Sequence, residues 1–233
     1  VAYTSQQIVQ RACAIAKAPG FLTQAGQYLN MILADLCETY DFDFIRETQV
    51  IQASPVVASG DGALPTGYAL AADHLRTREV FYYVNGVVFY LTQMPIERYD
   101  QLPQSSGVTN YPCNYAIRTE TSPYTIYFYQ PLVTPLTIFI RYQPQMPDIT
   151  SPETSSVVPW FTNQRYLLKK LAADLMAETD DERELKYKVE AERMLSLFLE
   201  MKDDKENYAQ TIKLDRNVFR GGGNLKATKQ QPL

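Results

Sequence analysis

The sequence predicts an α+β fold. Helix pairs from the two ends of the chain form one bundle, an antiparallel β-domain is inserted between them, and an extended arm closes the carboxy terminus. Three observations predict it. Apolar residues recur at helical spacing over residues 4–40 and again from residue 164. Between these stretches the pattern alternates with period two and is punctuated by Pro, Gly and Asn. A lone helix pair leaves much of its apolar face in water, so the helices of both ends must share a core. The boundaries that follow are 1–45 for the first helix pair, 46–147 for the β-domain, 148–208 for the return crossing and second helix pair, and 209–233 for the arm.

In "TSQQIVQRACAIAKAPG", Thr4 and Gln7 can form a capping box, and Ile8, Val9, Ala12, Cys13 and Ala16 share one face. Pro19-Gly20 should stop this helix. Thr23 is placed to cap the next, where Leu29, Ile32, Leu33, Leu36, Cys37 and Tyr40 recur at helical spacing, and the two should pack as a helical hairpin. After "YDFDFIRE" the pattern becomes that of strands. "ETQVIQAS" alternates and "GDGALPTG" is a turn-rich loop. "REVFYYVNGVVFYLT" is the clearest local signal, because Asn85-Gly86 suits a type I′ turn between β-branched and aromatic runs. "CNYAIRTE", "YTIYFYQP" and "LTIFIRYQ" read as further strands.

A Pro/Ser/Thr-rich crossing, "QPQMPDITSPETSSVVPW", leads back to helix. There Leu167, Leu168, Leu171, Ala172, Leu175 and Met176 share a face. Asp180 is placed to cap the last helix, whose apolar stripe runs through Tyr187, Ala191, Met194, Phe198 and Met201 opposite a charged face.

The net charge of −4 gives no overall case for nucleic-acid binding, so any such surface would be local. The three cysteines, Cys13, Cys37 and Cys113, match no zinc or redox spacing and are expected as buried thiols in a reducing compartment. No apolar run approaches ~18 residues and the amino terminus lacks the parts of a signal peptide, so a soluble protein with no membrane contact is expected.

Catalytic patterns are sparse. His74 is the only histidine and no nucleophile motif accompanies it; a polar role where the bundle meets the sheet is the simpler expectation. "TDDERE" suits a helix amino terminus, and neither it nor "KDDKE" has the ligand spacing of a calcium loop. The carboxylates of "DFDF" fit packing at the start of the β-domain better than acid–base chemistry. "FRGGGNLKATK" lacks phosphate-loop spacing, and its glycines read as a swivel. No cofactor, metal site or enzymatic activity is expected.

The tail "TIKLDRNVFRGGGNLKATKQQPL" carries Ile212, Leu214, Val218, Phe219 and Leu225, with Lys213, Arg216, Arg220, Lys226 and Lys229 between them. Disordered segments usually lack such anchors. They are too few to bury a core of their own, and they suit docking on another chain. The plain alternative is an end without a partner.

Three stretches resemble the head-to-tail adaptor (connector) proteins of short-tailed bacteriophages: "YLNMILADLCETYDFDF", "VVPWFTNQRYLLKKLAADLMAETDDER" with Pro159, Trp160, Phe161 and Asn163 before "YLL", and "DDKENYAQTIKLDRNVFRGGGNLKATK". The resemblance implies a virion structural protein, made in the host cytoplasm and assembled in the neck as a ring of twelve copies. It implies as partners the portal protein, a tail nozzle or tail tube protein and the chain itself, and leaves room for non-specific contact with packaged DNA. By the same resemblance the arm docks on the portal, with Leu214, Phe219 and Leu225 as anchors and Lys213, Arg216 and Arg220 as rim contacts. The competing reading is a carbohydrate- or peptide-binding module built on the aromatic-rich β-domain.

Overall fold

The computed structural model describes residues 2–54, 67–102, 111–120, 122–129, 132 and 134–207. Helix α1 (Ser5–Ala16) opens with the expected capping box: the Gln7 amide N–H donates to the Thr4 hydroxyl, and the Thr4 N–H donates to the Gln7 side chain. Its stripe of Ile8, Val9, Ala12, Cys13 and Ala16 is buried. Lys17, at φ 56°, ends it two residues before Pro19. Helix α2 (Leu22–Thr39) corrects the expectation for Thr23, which lies inside the first turn. A 3-10 turn over Pro19–Phe21 runs directly into α2, so no extended residue precedes it to place a side-chain cap.

The strands are β1 (Glu47–Ala53), β2 (Tyr68–Ala69), β3 (His74–Val84), β4 (Val87–Tyr90), β5 (Thr92–Gln93), β6 (Asn114–Arg118), β7 (Thr125–Tyr129) and β8 (Leu136–Pro144). They form two four-stranded sheets, ordered β1-β8-β3-β4 and β2-β7-β6-β5. The β-region is not wholly antiparallel. β5 pairs parallel with β6, and a short helix, α3 (Ile96–Gln101), lies between them in the chain. Two-residue strands carry too little period for the sequence to reveal.

At the tip of β3–β4, Asn85 and Gly86 have φ of 51° and 80°, as a type I′ turn requires. Among the described residues a Cβ at Gly86 would meet no neighbour, and what opposes substitution is backbone strain. Gly86→Val should therefore cost about 1–2 kcal/mol, read as a lower urea midpoint with unchanged slope.

Helix α4 (Gln164–Glu178) starts at Asn163, whose side chain accepts from the Tyr166 N–H. It buries Leu167, Leu171, Ala172, Leu175 and Met176, while Leu168 is half-buried. Asp180 does not cap α5 (Glu184–Asn207). It adopts φ 49° just after α4, and Asp181 instead accepts from the Arg183 N–H. Ala191 of α5 joins a core built from α1, α2 and α4, with Tyr187, Met194 and Phe198 packed against it. Met201 breaks the expected stripe, being 61% exposed.

A second core lies between the sheets, with Ile51, Val80, Tyr82, Ile138 and Ile140 facing Tyr115, Ile126 and Phe128. Buried Gln143 of β8 ties the first sheet to the helices, donating to the carbonyls of Cys37 and Tyr40. Beside it, Arg78 pairs with Asp41 and donates to Gln143, and Arg76 donates to the Glu38 carbonyl.

Candidate docking surfaces

The ten residues proposed from the sequence to dock the arm, Ile212 to Lys229, lie outside the described residues. What the structure places is the surface of the chain that precedes them.

Helix α5 shows a feature the sequence reading missed. Leu185, Val189, Leu197 and Met201 are exposed at spacings of four and eight, with Arg193 completing the row. Residues at i, i+4 form a ridge, the unit by which helices interdigitate. The face opposite the core is thus not simply charged. Its signal was the four-residue spacing, hidden because two apolar stripes on one helix cancel in an amphipathic reading.

The face of the first sheet turned away from the second carries an aromatic cluster. Phe81 of β3 stacks on Phe139 of β8 at 5.4 Å between ring centres, Tyr83 meets both rings edge-on, and Tyr90 of β4 closes the group. The Arg141 guanidinium lies over Phe81 and pairs with Glu79. Phe81 is buried yet belongs to neither core described above. On the second sheet a half-open cleft of about 310 Å³ is lined by Gln93, Met94, Arg98, Asn114 and Tyr129 among others.

The groups weighed for chemistry have structural partners. Asp41 and Asp43 of "DFDF" pair with Arg46, and Asp41 also with Arg78. Phe42 between them is buried among Trp160, Phe161 and Phe198. Asp181 is held at about 2 by hydrogen bonds from Arg183. Cys13 and Cys37 are buried, but Cys113 is exposed, contrary to expectation; it stands beside β6 rather than in a core. Among the described residues no group of three or more His, Cys, Asp or Glu is placed to hold a metal. No described helix is long and apolar enough to cross a membrane.

His74, 8% exposed, bonds Thr77 at 2.8 Å and stacks on Tyr142, with Tyr124 edge-on. Burial holds its pKa below the ordinary value, against the weaker opposing pull of Asp73. The folded chain therefore refuses a proton that the unfolded chain accepts below about pH 6.5. This contribution is fully present above that pH and is lost as pH falls. The thermal midpoint should drop between pH 7.5 and 5.5, and His74→Gln should flatten the drop.

An apolar helix ridge and an aromatic sheet face are surfaces of the kind that proteins present to one another. The chain belongs to the SU10 adaptor protein family, whose model matches residues 3–214. This membership agrees with a phage head-to-tail adaptor, a structural component of the virion that interacts with other head and tail proteins. The match runs through the helices and sheets and into the first residues of the arm. No curated protein matches the chain.

Proposed function

We propose that the chain forms a ring of twelve copies in the neck of a short-tailed phage virion, joining the portal to the tail nozzle or tail tube. Residues 209–233 act as an arm that docks on the portal. Ile212, Leu214, Val218, Phe219 and Leu225 enter apolar pockets, and Lys213, Arg216, Arg220, Lys226 and Lys229 meet acidic rims. The helices of both ends, with the β-domain as an insertion between them, are the scaffold that presents this arm and a docking surface for the tail. The function is structural and involves no catalytic step.

The observation that carries this reading is the family match, which spans both helical ends and both sheets. Many identical arms acting together also offset the entropy of ordering each one. Native mass spectrometry of the full chain mixed with its portal should show complete rings. A chain that stays monomeric at all ratios would count decisively against the proposal.

The cleft on the second sheet favours a second reading. An aromatic ring, Tyr129, edged by the amides of Asn114 and Gln93 has the make-up of a carbohydrate or peptide subsite, at the small end of the usual volume. A glycan and peptide array should then give a hit that Tyr129→Ala weakens, and an array without hits removes this reading.

A further inference from the structure

Edge strands expose a row of backbone donors and acceptors, and proteins ordinarily blunt them with charge, Pro or a bulge. β4 has none of these. Among the described residues it is an edge of its sheet, as β1 is at the other side, and Val87, Val88, Phe89 and Tyr90 are all exposed, Tyr90 by 62%. No charged residue occurs from Val80 to Ile96. The opposite edge is β1, which is uncharged from Thr48 to Ala53 and leaves Val50 51% exposed.

The two edges match one another. Val50, Phe139, Phe81 and Tyr90 stand in register across β1, β8, β3 and β4, so one apolar row crosses the sheet from edge to edge on a single face. Each neighbouring pair in this sheet is antiparallel, so β1 and β4 run in opposite directions. A second copy in the same orientation can therefore set its β1 beside β4 and continue an antiparallel sheet, with Val50 following Tyr90 in the row. This contact uses different surfaces on the two copies, the kind that propagates and can close into a ring.

We propose that β4 of each copy pairs with β1 of the next, a reading that rests on the ring proposed above. Tyr83, Phe89, Tyr90, Val50, Val87 and Val88 are each roughly half exposed, and together they offer on the order of 500 Å² per copy. One contact takes β4 from one copy and β1 from the next, so this is its two-sided total, well short of the ~1,600 Å² that a stable isolated pair buries. The contact should thus form when arms hold the copies side by side, and not in dilute solution.

Val50 and Tyr90 would have Cβ atoms about 5 Å apart, near enough for a disulfide after small adjustment. The full chain carrying Val50→Cys, Tyr90→Cys and Cys113→Ser, assembled on the portal and oxidised, should give a ladder of covalent oligomers. Tyr90→Lys, with an unchanged thermal midpoint, should still bind the portal through its arm but lose complete rings. Complete rings with no ladder, or rings intact in Tyr90→Lys, overturn the strand pairing and leave the ring standing. Covalent dimers from Tyr90→Cys, Cys113→Ser alone overturn it in favour of a two-fold β4 contact. A wild-type chain that forms no ring overturns the ring and this contact together.

Discussion

Phe161→Ala should lower the thermal midpoint by roughly 10 °C, the largest stability effect expected of a single side chain here. Phe161 is fully buried, and its ring meets Phe42, Trp160, Tyr166 and Phe198 at 5.1–5.7 Å. It joins the segment that follows α2, the first turn of α4 and the middle of α5. Truncating a buried Phe costs about 3–5 kcal/mol, because transfer energy is lost and a cavity remains. At 2–4 °C per kcal/mol for a chain of this size, the shift is readily resolved by calorimetry. Phe161→Leu keeps most of the volume and should recover more than half of the loss. A shift within 2 °C for Phe161→Ala would mean that the helices of the two ends do not depend on one another.

Deleting residues 209–233 should abolish portal attachment while leaving the far-ultraviolet signature of the helices intact. The described members of the helical core end at Leu199 of α5, and the deletion leaves all of them in place. It does remove the five apolar residues and five cations proposed to dock on the portal. Attachment measured by co-sedimentation should fall below detection, since each copy loses its own grip and the multiplicity of the ring is lost with it. Replacing Leu214, Phe219 and Leu225 with Ser should do nearly as much. Replacing Lys226 and Lys229 with Gln should weaken attachment only modestly and reduce its salt dependence. Attachment that survives the deletion would move the portal contact to the bundle, where the α5 ridge of Leu185, Val189, Leu197 and Met201 is exposed.

The longer elements were legible because their signals are local. The Thr4–Gln7 capping box, the Asn85-Gly86 turn and the buried faces of α1, α2 and α4 follow from spacing alone. The caps of α2 and α5 were not, because a cap depends on how the chain arrives. Thr23 was overtaken by a 3-10 turn, and Asp180 is itself the left-handed residue that follows α4. The short strands β2 and β5 owe their existence to partners distant in sequence. The aromatic face showed only as an excess of Tyr, since which side of a strand is covered depends on the sheet packed behind it. Gln143 read as an ordinary polar residue near a strand end, and its burial against two helix-end carbonyls is purely tertiary. The arm residues were named from the sequence and its resemblance alone.

That same Gln143 has a mechanical consequence. It sits on β8, which is flanked by β1 and β3, and its amide grips the main chain at the end of α2. A pull on the sheet would therefore load this clasp, with Arg76 and Arg78 sharing the strain alongside. Because these bonds lie side by side, they would yield together rather than one after another, so tension from a tail could reach the helices through a stiff coupling instead of a loose tether.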